Sequence, residues 1–186
     1  SGDINFEFSH GTFDSLLEGL MCAEFSSGVL TNGTTLKSYS IEKKFEQLTK
    51  YHTFKGCRVG SMNISVNAGE IVTGSFSLMG KDLTTGSSSA SSGTPSDPTT
   101  SPAYNAINNV SVLNEGGSSL ADKVTALSLT IENNLRQNVA IGSSAPSQIG
   151  LGQFVVTGTM TVYFSSSQIF DKFVNGTDSS LSFTLS

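Results

Sequence analysis

The side chains able to do acid–base, nucleophilic or metal chemistry are few in this chain and stand far apart. The two histidines, His10 and His52, lie in turn-like stretches. Neither belongs to a His-Glu-x-x-His helix or accompanies a Gly-x-Ser-x-Gly nucleophile motif. A zinc site needs three or four His, Cys or carboxylate ligands, and two isolated histidines without a Cys-x-x-Cys pair do not supply them. The residues therefore predict no enzyme, no metal site and no cofactor.

Two further features match functional motifs only in part. The segment from Gly86 to Gly93 lacks the Gly-Lys-Ser/Thr of a phosphate-binding loop and does not open a helix. The only cysteines, Cys22 and Cys57, end an apolar helical pattern and lie in a strand pattern, so we predict two buried free thiols. The carboxylates are scattered along the chain and give no reason to propose a catalytic pair.

The elements that would position any functional side chain are mainly β-strands. Between Ser38 and Asp82, apolar and hydroxyl residues alternate with a period of two, which is typical of strands with one buried face. Short turns rich in Gly and Asn separate the runs. The predicted strands are 4–8, 35–44, 51–59, 61–67, 70–80, 110–114, 124–133, 152–164 and 181–185. The predicted fold class is mainly β.

Two short helices are predicted beside these strands. In the first, over 11–22, Thr12 is a candidate N-cap and Asp14 lies in the favourable first turn. Its apolar face consists of Phe13, Leu16, Leu17 and Leu20. The second, over 165–175, is predicted to end before Gly176. Its inward residues are predicted to be Ile169, Phe170, Phe173 and Val174.

Composition and charge exclude some functions. The net charge is −5 and only 13% of the residues are charged, so the chain as a whole is not one that grips nucleic-acid phosphates. Six of the ten cations nevertheless fall between Lys37 and Arg58, where Glu42 and Glu46 are the only anions. Two interpretations stay open: an edge strand protected by solvated lysines, or a basic subunit surface that meets an acidic one on a neighbour. No apolar run is long enough for a membrane helix.

The composition changes abruptly over residues 81–103. Three of the four prolines lie here among Ser, Thr and Gly, and almost nothing apolar is available for burial. We predict a single domain, 1–186, that carries a flexible Ser/Gly/Pro-rich loop over 81–109 in the isolated subunit. A long loop of this kind in a compact domain is usually either functional or disordered.

The parts before and after this loop resemble each other. Ile71-Val-Thr-Gly-Ser-Phe-Ser-Leu matches Val155-Val-Thr-Gly-Thr-Met-Thr-Val, and Met62-Asn-Ile-Ser-Val matches Leu127-Ser-Leu-Thr-Ile. Both helices contain Phe-Asp followed five residues later by Gly. This internal similarity predicts a duplication of approximately 1–80 and 110–186, although generic strand patterning explains part of the similarity.

The order of several phrases resembles one protein family. The phrases are Ser38-Tyr-Ser-Ile-Glu-Lys-Lys-Phe, Tyr51-x4-Gly-x2-Val, Met62-x-Ile-x-Val, Ile71-Val-Thr-Gly-Ser-Phe-Ser-Leu-Met-Gly-Lys and Val156-Thr-Gly-Thr-Met-Thr-Val-Tyr-Phe. This order is similar to that in tail tube proteins, or major tail proteins, of long-tailed siphovirus-type bacteriophages. The similarity covers most of the chain apart from 81–109. Members of that family extend further upstream, which leaves open an amino-terminal portion before Ser1.

The resemblance implies a fold, a function and partners. The implied fold is a tail-tube-type β-sandwich or half-barrel with one or two short flanking α-helices and a long flexible loop. The implied function is structural: subunits form stacked rings that make the tail tube, the conduit for genome ejection. The implied partners are other copies of the chain, tail proteins such as tape measure and tail-end proteins, and DNA in transient, non-specific passage, with no membrane. The implied location is the virion tail, after synthesis in the bacterial host cytoplasm.

Two regions are predicted to make contacts between subunits. The loop from Lys81 to Asn109 can become ordered on a neighbouring ring, and the basic segment can meet an acidic surface. The residues predicted for oligomerisation are Lys81, Asp82, Leu83, Pro95, Pro98, Pro102, Tyr104, Lys43 and Lys44. The acidic balance of the remaining chain would keep DNA from adhering to the bore.

Other functions remain open at this stage. An inner-tube subunit of a contractile tail or secretion system would share both fold and role. A β-sandwich adhesion or carbohydrate-binding module is a different class, but such modules bind sugars through exposed aromatics, and this chain has no Trp and four Tyr. Ring size is open too, since a real duplication would allow three subunits in a pseudo-sixfold ring and its absence would favour six.

Overall fold

The computed structural model describes residues 1–120, 123–143, 145–164 and 167–186. In this part of the chain, twelve strands and two short α-helices confirm the mainly β fold class. The strands are β1 Gly2–Glu7, β2 Tyr39–Phe45, β3 Lys50–Asn67, β4 Thr73–Met79, β5 Asp82–Gly86, β6 Val110–Glu115, β7 Ser118–Ser119, β8 Val124–Glu132, β9 Arg136–Asn138, β10 Gln148–Gly150, β11 Val155–Val162 and β12 Leu181–Leu185. The helices are α1 Asp14–Met21 and α2 Gln168–Asn175, and a 3₁₀ turn spans Glu46–Leu48.

One antiparallel sheet forms the centre of the fold. Its strands follow the order β1-β4-β3-β8-β11. Because side chains alternate along each strand, one set points into the core, where Phe76 of β4 and Val59 of β3 are fully buried. Helix α1 packs against this core through Leu20, which is also fully buried. Phe6 of β1 packs between the helix region and the sheet. The centre of its ring lies 4.6 Å from that of Phe13 and 4.9 Å from that of Phe76.

Strand β3 is longer than the sequence pattern predicts. The runs 51–59 and 61–67 are one strand of 18 residues, with a register shift between Val59 and Ser61 in place of a turn. Its second half lies in the main sheet between β4 and β8, whereas its first half lies between β2 and β5. We call the unit over 39–58 and 81–86, made of β2, the 3₁₀ turn, the first half of β3, and β5, the arm.

The predicted 81–109 loop needs a correction at its start. Residues 82–86 form β5, which pairs with β3 over Tyr51–Lys55, so the hydroxyl-rich sequence here is strand surface. Farther along, isolated bridges join Ala103 to Ser9 and Asn105 to Ile71. Between Ser87 and Pro102 no strand or helix is present.

The remaining strands form two small sheets. One has the order β12-β6-β7 and the other is the β9–β10 hairpin. The hairpin is held to the body by two cations: the Arg58 guanidinium donates a hydrogen bond to the Ile149 carbonyl, and Lys81 Nζ donates one to the Ser147 carbonyl at 2.8 Å. Strands β7, β9 and β10 have two or three residues each, which is too short for a periodic signal.

The first helix is confirmed except for its cap. Its predicted apolar face packs against the core. Thr12 is not the N-cap; Phe13 occupies that position without a side-chain cap bond. The Thr12 hydroxyl instead shares hydrogen bonds with the hydroxyls of Ser9 and Thr99. The predicted buried thiols are confirmed, because Cys22 and Cys57 are both free and buried.

The second helix differs more from the prediction. It begins at Gln168, and Ser165 and Ser166 of the predicted span lie outside the described residues, as does the side chain of Phe173. Ile169 packs against the core as predicted. Phe170 and Val174 do not, since they are 57% and 63% exposed. Their apolar character therefore needs an explanation other than burial in this subunit.

The two hairpins that match in sequence also have the same register. Met62 lies opposite Phe76, and Leu127 lies opposite Met160, so residues equivalent in sequence are equivalent in pairing. Strands β3 and β8 pair with each other between the two hairpins. The arrangement agrees with an internal duplication, which stays a prediction.

Candidate assembly surfaces

The arm is a small sheet whose two faces differ in chemistry. Directly opposed residues on paired strands form a row across the sheet, and their side chains point to the same face. Successive rows along the strands alternate between the two faces. One row is polar and the next is apolar. The polar row is Glu42, Thr53 and Thr84, and the apolar row is Ile41, Phe54 and Leu83.

The polar face holds the beginning of the Ser/Gly/Pro segment. The Glu42 carboxylate accepts hydrogen bonds from the Ser89 hydroxyl at 2.6 Å, the Ala90 N–H at 2.8 Å and the Thr53 hydroxyl at 3.0 Å. These bonds, that from Ser89 above all, lower the pKa of Glu42. The ionised carboxylate thus attaches the segment to its own arm.

The apolar face opens onto a groove of about 500 Å³. Ile41, Phe54 and Leu83 line it together with the first residues of β1 and with Leu78 of β4. Phe54 and Leu83 stay 38% and 47% exposed. A row of apolar side chains left open at a concave surface is typical of a site where another molecule binds.

The two lysines predicted from the basic segment lie on opposite faces of the arm. Lys43 lines the groove, with its Nζ 5.1 Å from the centre of the Phe45 ring. Lys44, one residue on, points to the other face and pairs with Glu46 at 2.8 Å, which raises the pKa of Lys44. The structure therefore brings Lys43 to the groove and leaves Lys44 outside it.

The residues predicted at the start of the loop meet at the same groove. Lys81, Asp82 and Leu83 all line it. Asp82 also accepts a hydrogen bond from the Leu83 N–H at 2.8 Å. Four of the predicted residues, three from one region of the sequence and Lys43 from another, thus share one surface, although their role in oligomerisation stays a prediction.

Besides Lys44, four predicted residues do not lie at the groove. Pro95, Pro98 and Pro102 are exposed in the segment without strands. Tyr104 is half-buried against the main sheet: its N–H donates to the Phe8 carbonyl and its carbonyl accepts from the Val72 N–H, each at 2.8 Å. Tyr104 therefore fastens the end of the segment to its own subunit.

Sequence reasoning missed three features of these surfaces. Among the described strands, β1 and β11 each have a neighbour on one side only, so they are the edges of the main sheet. It also missed Phe54 as a surface residue and Glu42 as the attachment point. The sequence around Glu42 carries no signal for this role, because Glu42 stands between Ile41 and Lys43 and its partner Ser89 is 47 residues away.

The described residues contain no group of three His, Cys, Asp or Glu side chains that could hold a metal ion. No described helix has the length and apolar character needed to cross a membrane. His52 packs in the arm with its ring 4.8 Å from the Phe45 ring.

A comparison with protein families gives a match over the whole chain. The phage tail tube protein family matches residues 1–186, including the segment that carries none of the resemblance in strand order. No curated protein matches the chain. The match confirms the family that the order of the strand phrases predicted. The role of a tail tube protein is structural. By its sequence and its mainly β fold, the chain belongs to the phage tail tube protein family.

Proposed function

We propose that copies of this chain join edge to edge into rings, and that the rings stack into the tail tube through which the genome leaves the capsid. The observation that carries the proposal is the main sheet with its two edges, β1 and β11. A strand edge is a row of backbone N–H and C=O groups that can pair with another chain. Repeating the β11-to-β1 contact around a ring removes both edges in every subunit.

The shared register of the two hairpins supports a ring of three subunits. Each subunit then supplies two equivalent units, Met62 opposite Phe76 in the first and Leu127 opposite Met160 in the second. Three such subunits form a pseudo-sixfold ring. A subunit without a duplication would be expected to form a ring of six.

The Ser/Gly/Pro segment is proposed to order on a neighbouring ring. It has almost nothing to bury in its own subunit and is attached to the arm through Glu42. Lys81, Asp82, Leu83, Pro95, Pro98 and Pro102 are the residues proposed to take part in this contact. The further partners proposed are tape measure and tail-end proteins, with synthesis in the host cytoplasm before incorporation into the virion.

Electron microscopy of negatively stained, concentrated, tag-free protein tests this proposal. The sample carries any upstream segment that its gene encodes. We expect rings or hollow tubes with a bore wide enough for duplex DNA, and averaged end views that show three subunits with pseudo-sixfold symmetry. Particles that stay monomeric at high concentration would contradict the proposed assembly, and six chains per ring, counted by native mass spectrometry, would contradict the ring of three.

Deletion of 87–101 tests whether the Ser/Gly/Pro segment is needed for tube formation. Since this segment contains no strand or helix, the deleted subunit should keep its circular dichroism spectrum and melting transition but form no tubes. Replacing the segment by Gly-Ser of equal length separates the effect of its sequence from that of chain length. Tubes from the deletion variant would show that the segment is not needed.

A further inference from the structure

Helix α2 presents an apolar face that its own subunit leaves open. Phe170 and Val174, four residues apart, lie on one side of the helix and are 57% and 63% exposed. Asp171 is exposed beside them, and no ion pair to it is present among the described residues. Just after β11, Tyr163 and Phe164 are also exposed, at 69% and 82%.

The same helix is firmly attached on its other side. Lys172 Nζ lies 2.8 Å from both carboxylate oxygens of Glu115 on β6 and 3.3 Å from the Ser179 hydroxyl. The bond from Lys172 lowers the pKa of Glu115. Ile169 packs against the core. The open face is therefore displayed by a fixed element.

The arm groove offers a surface of matching character. Its apolar row, Ile41, Phe54 and Leu83, is flanked by Lys43. Asp3 and Asp82 also line the groove, but the arm as a whole is basic. Residues 39–58 and 81–86 contain six cations against three anions, whereas the rest of the chain has four against twelve. Asp171 is exposed on α2 beside the open helix face, and Asp178 is exposed three residues after the helix ends.

Strand registers place these two surfaces at opposite ends of the main sheet. At one end Gly2 of β1 lies opposite Leu78, and the arm continues from there. At the other end Asn67 of β3 lies opposite Ala126, and Val162, which leads to α2, pairs with Val124. At about 3.3 Å per residue, the 12 steps from Lys55 to Asn67 span about 40 Å. The helix face and the centre of the groove therefore lie toward opposite ends of the main sheet in one subunit.

We propose that the open face of α2 in one copy of this chain docks in the arm groove of the next copy. Phe170 and Val174 cover the apolar row, and Asp171 approaches Lys43. The contact is heterologous, because each copy supplies the helix at one end and the groove at the other, so it propagates from copy to copy. The inference rests on the proposed tube assembly and names one of its subunit contacts.

A mixing experiment tests this contact. Leu83→Asp puts a charge in the groove, and Val174→Asp puts one on the helix face. Each variant alone should lose at least about tenfold of its pelletable tubes, as expected for the centre of an interface. When the two variants are mixed, Leu83→Asp supplies an intact helix face and Val174→Asp supplies an intact groove. The mixture should therefore form assemblies twice the size of the unit that either variant forms alone, but no tubes. Analytical ultracentrifugation measures this size.

Matched controls keep the added charge but move it away from the contact. Thr85→Asp lies on the same strand and face as Leu83 but does not line the groove, and Asn175→Asp follows Val174 at the end of α2. Both should form tubes like the natural chain. A second test exchanges charges: Lys43→Glu and Asp171→Lys should each slow tube formation, and the double variant should recover it.

The outcomes separate this inference from the function on which it rests. If the natural chain forms tubes and folded Leu83→Asp and Val174→Asp do so equally well, the docking contact is wrong and the tube function stands. If each variant alone fails but the mixture gives no enlarged assembly, the two surfaces do not bind each other and the inference is overturned. If the natural chain forms no tubes, the proposed function itself fails.

Discussion

At the centre of the main sheet, the Phe76 ring is fully buried and lies within 6.0 Å of the Phe6 and Phe13 rings. Met160 on β11 packs against the same core. We expect Phe76→Asp to prevent folding, because a carboxylate there would lose its water without gaining a partner, at a cost of several kcal/mol. Met160→Asp, at a half-buried site, should lower the free energy of unfolding by less. Chemical denaturation monitored by circular dichroism measures both.

Thr159→Asp is the control for these changes. Thr159 is exposed and points to the opposite face of β11, so its replacement should change the free energy of unfolding by less than about 0.5 kcal/mol. Folded Phe76→Asp protein with the stability of the natural chain would contradict the assigned strand register, since a shift by one residue reverses the faces of a strand.

At the scale of elements, the two hairpins share a glycine as well as a register. Gly74 of β4 lies opposite Ile64, and Gly158 of β11 lies opposite Leu129. A Cβ atom at Gly158 would lie 2.6 Å from Leu129 Cδ2, and one at Gly74 would overlap the Asn63 carbonyl oxygen. At Gly74 the obstacle is the backbone of the neighbouring strand, whereas at Gly158 it is the end of the Leu129 side chain, with the Ser128 carbonyl oxygen 3.1 Å away.

Sequence patterning was sufficient to predict most of the long strands and the apolar face of α1. The period of two in the strands and of 3.6 residues in the helix is repeated often enough there to be recognised. It failed where long-range pairing decides. The Gly60-Ser61 pair resembles a turn, but β3 continues through a register shift while β4 and β8 flank it. Residues 82–86 resemble a linker until β3 pairs with them. The groove was only half predictable, since Lys43 and Leu83 meet through strands paired across the sequence.

The attachment of the Ser/Gly/Pro segment should depend on pH through Glu42. Its pKa is lowered in the folded chain, so this contact stabilises the folded state fully above the ordinary glutamate pKa of about 4.3. The stabilisation is lost as the pH falls through the lowered folded-state value. We expect the protection of the 87–93 amides, measured relative to their intrinsic exchange rates at each pH, to fall only in that acidic range, and Glu42→Gln to lower it already at neutral pH.

Glu46→Gln is the matched control for this prediction. Glu46 lies on the 3₁₀ turn of the same arm and pairs with Lys44, away from Ser89. Its replacement should leave exchange in 87–93 unchanged at neutral pH. Equal exchange in the natural chain and in Glu42→Gln would mean that the carboxylate does not hold the segment.

At the scale of the whole molecule, charge is separated between the arm and the rest of the subunit. The arm has an excess of three cations, and the remaining chain an excess of eight anions. This distribution favours head-to-tail association, because the basic end of one copy is attracted to the acidic surfaces of the next. Assembly then covers the arm, the main basic surface of the chain, and leaves a tube whose free surface is mostly acidic.

A consequence is that tubes should bind duplex DNA more weakly than isolated subunits do. With a net charge of −5, the subunit should bind more weakly than about 10⁻⁴ M at physiological salt, and measurably only at low salt through its arm. In tubes the arm is engaged, so DNA that cosediments per subunit should fall. Lys43→Glu combined with Lys55→Glu should remove the low-salt binding of the subunit. Tubes that retain more DNA per subunit than free chains would show instead that cations line the bore, and a conduit of that kind would hold the genome rather than let it pass.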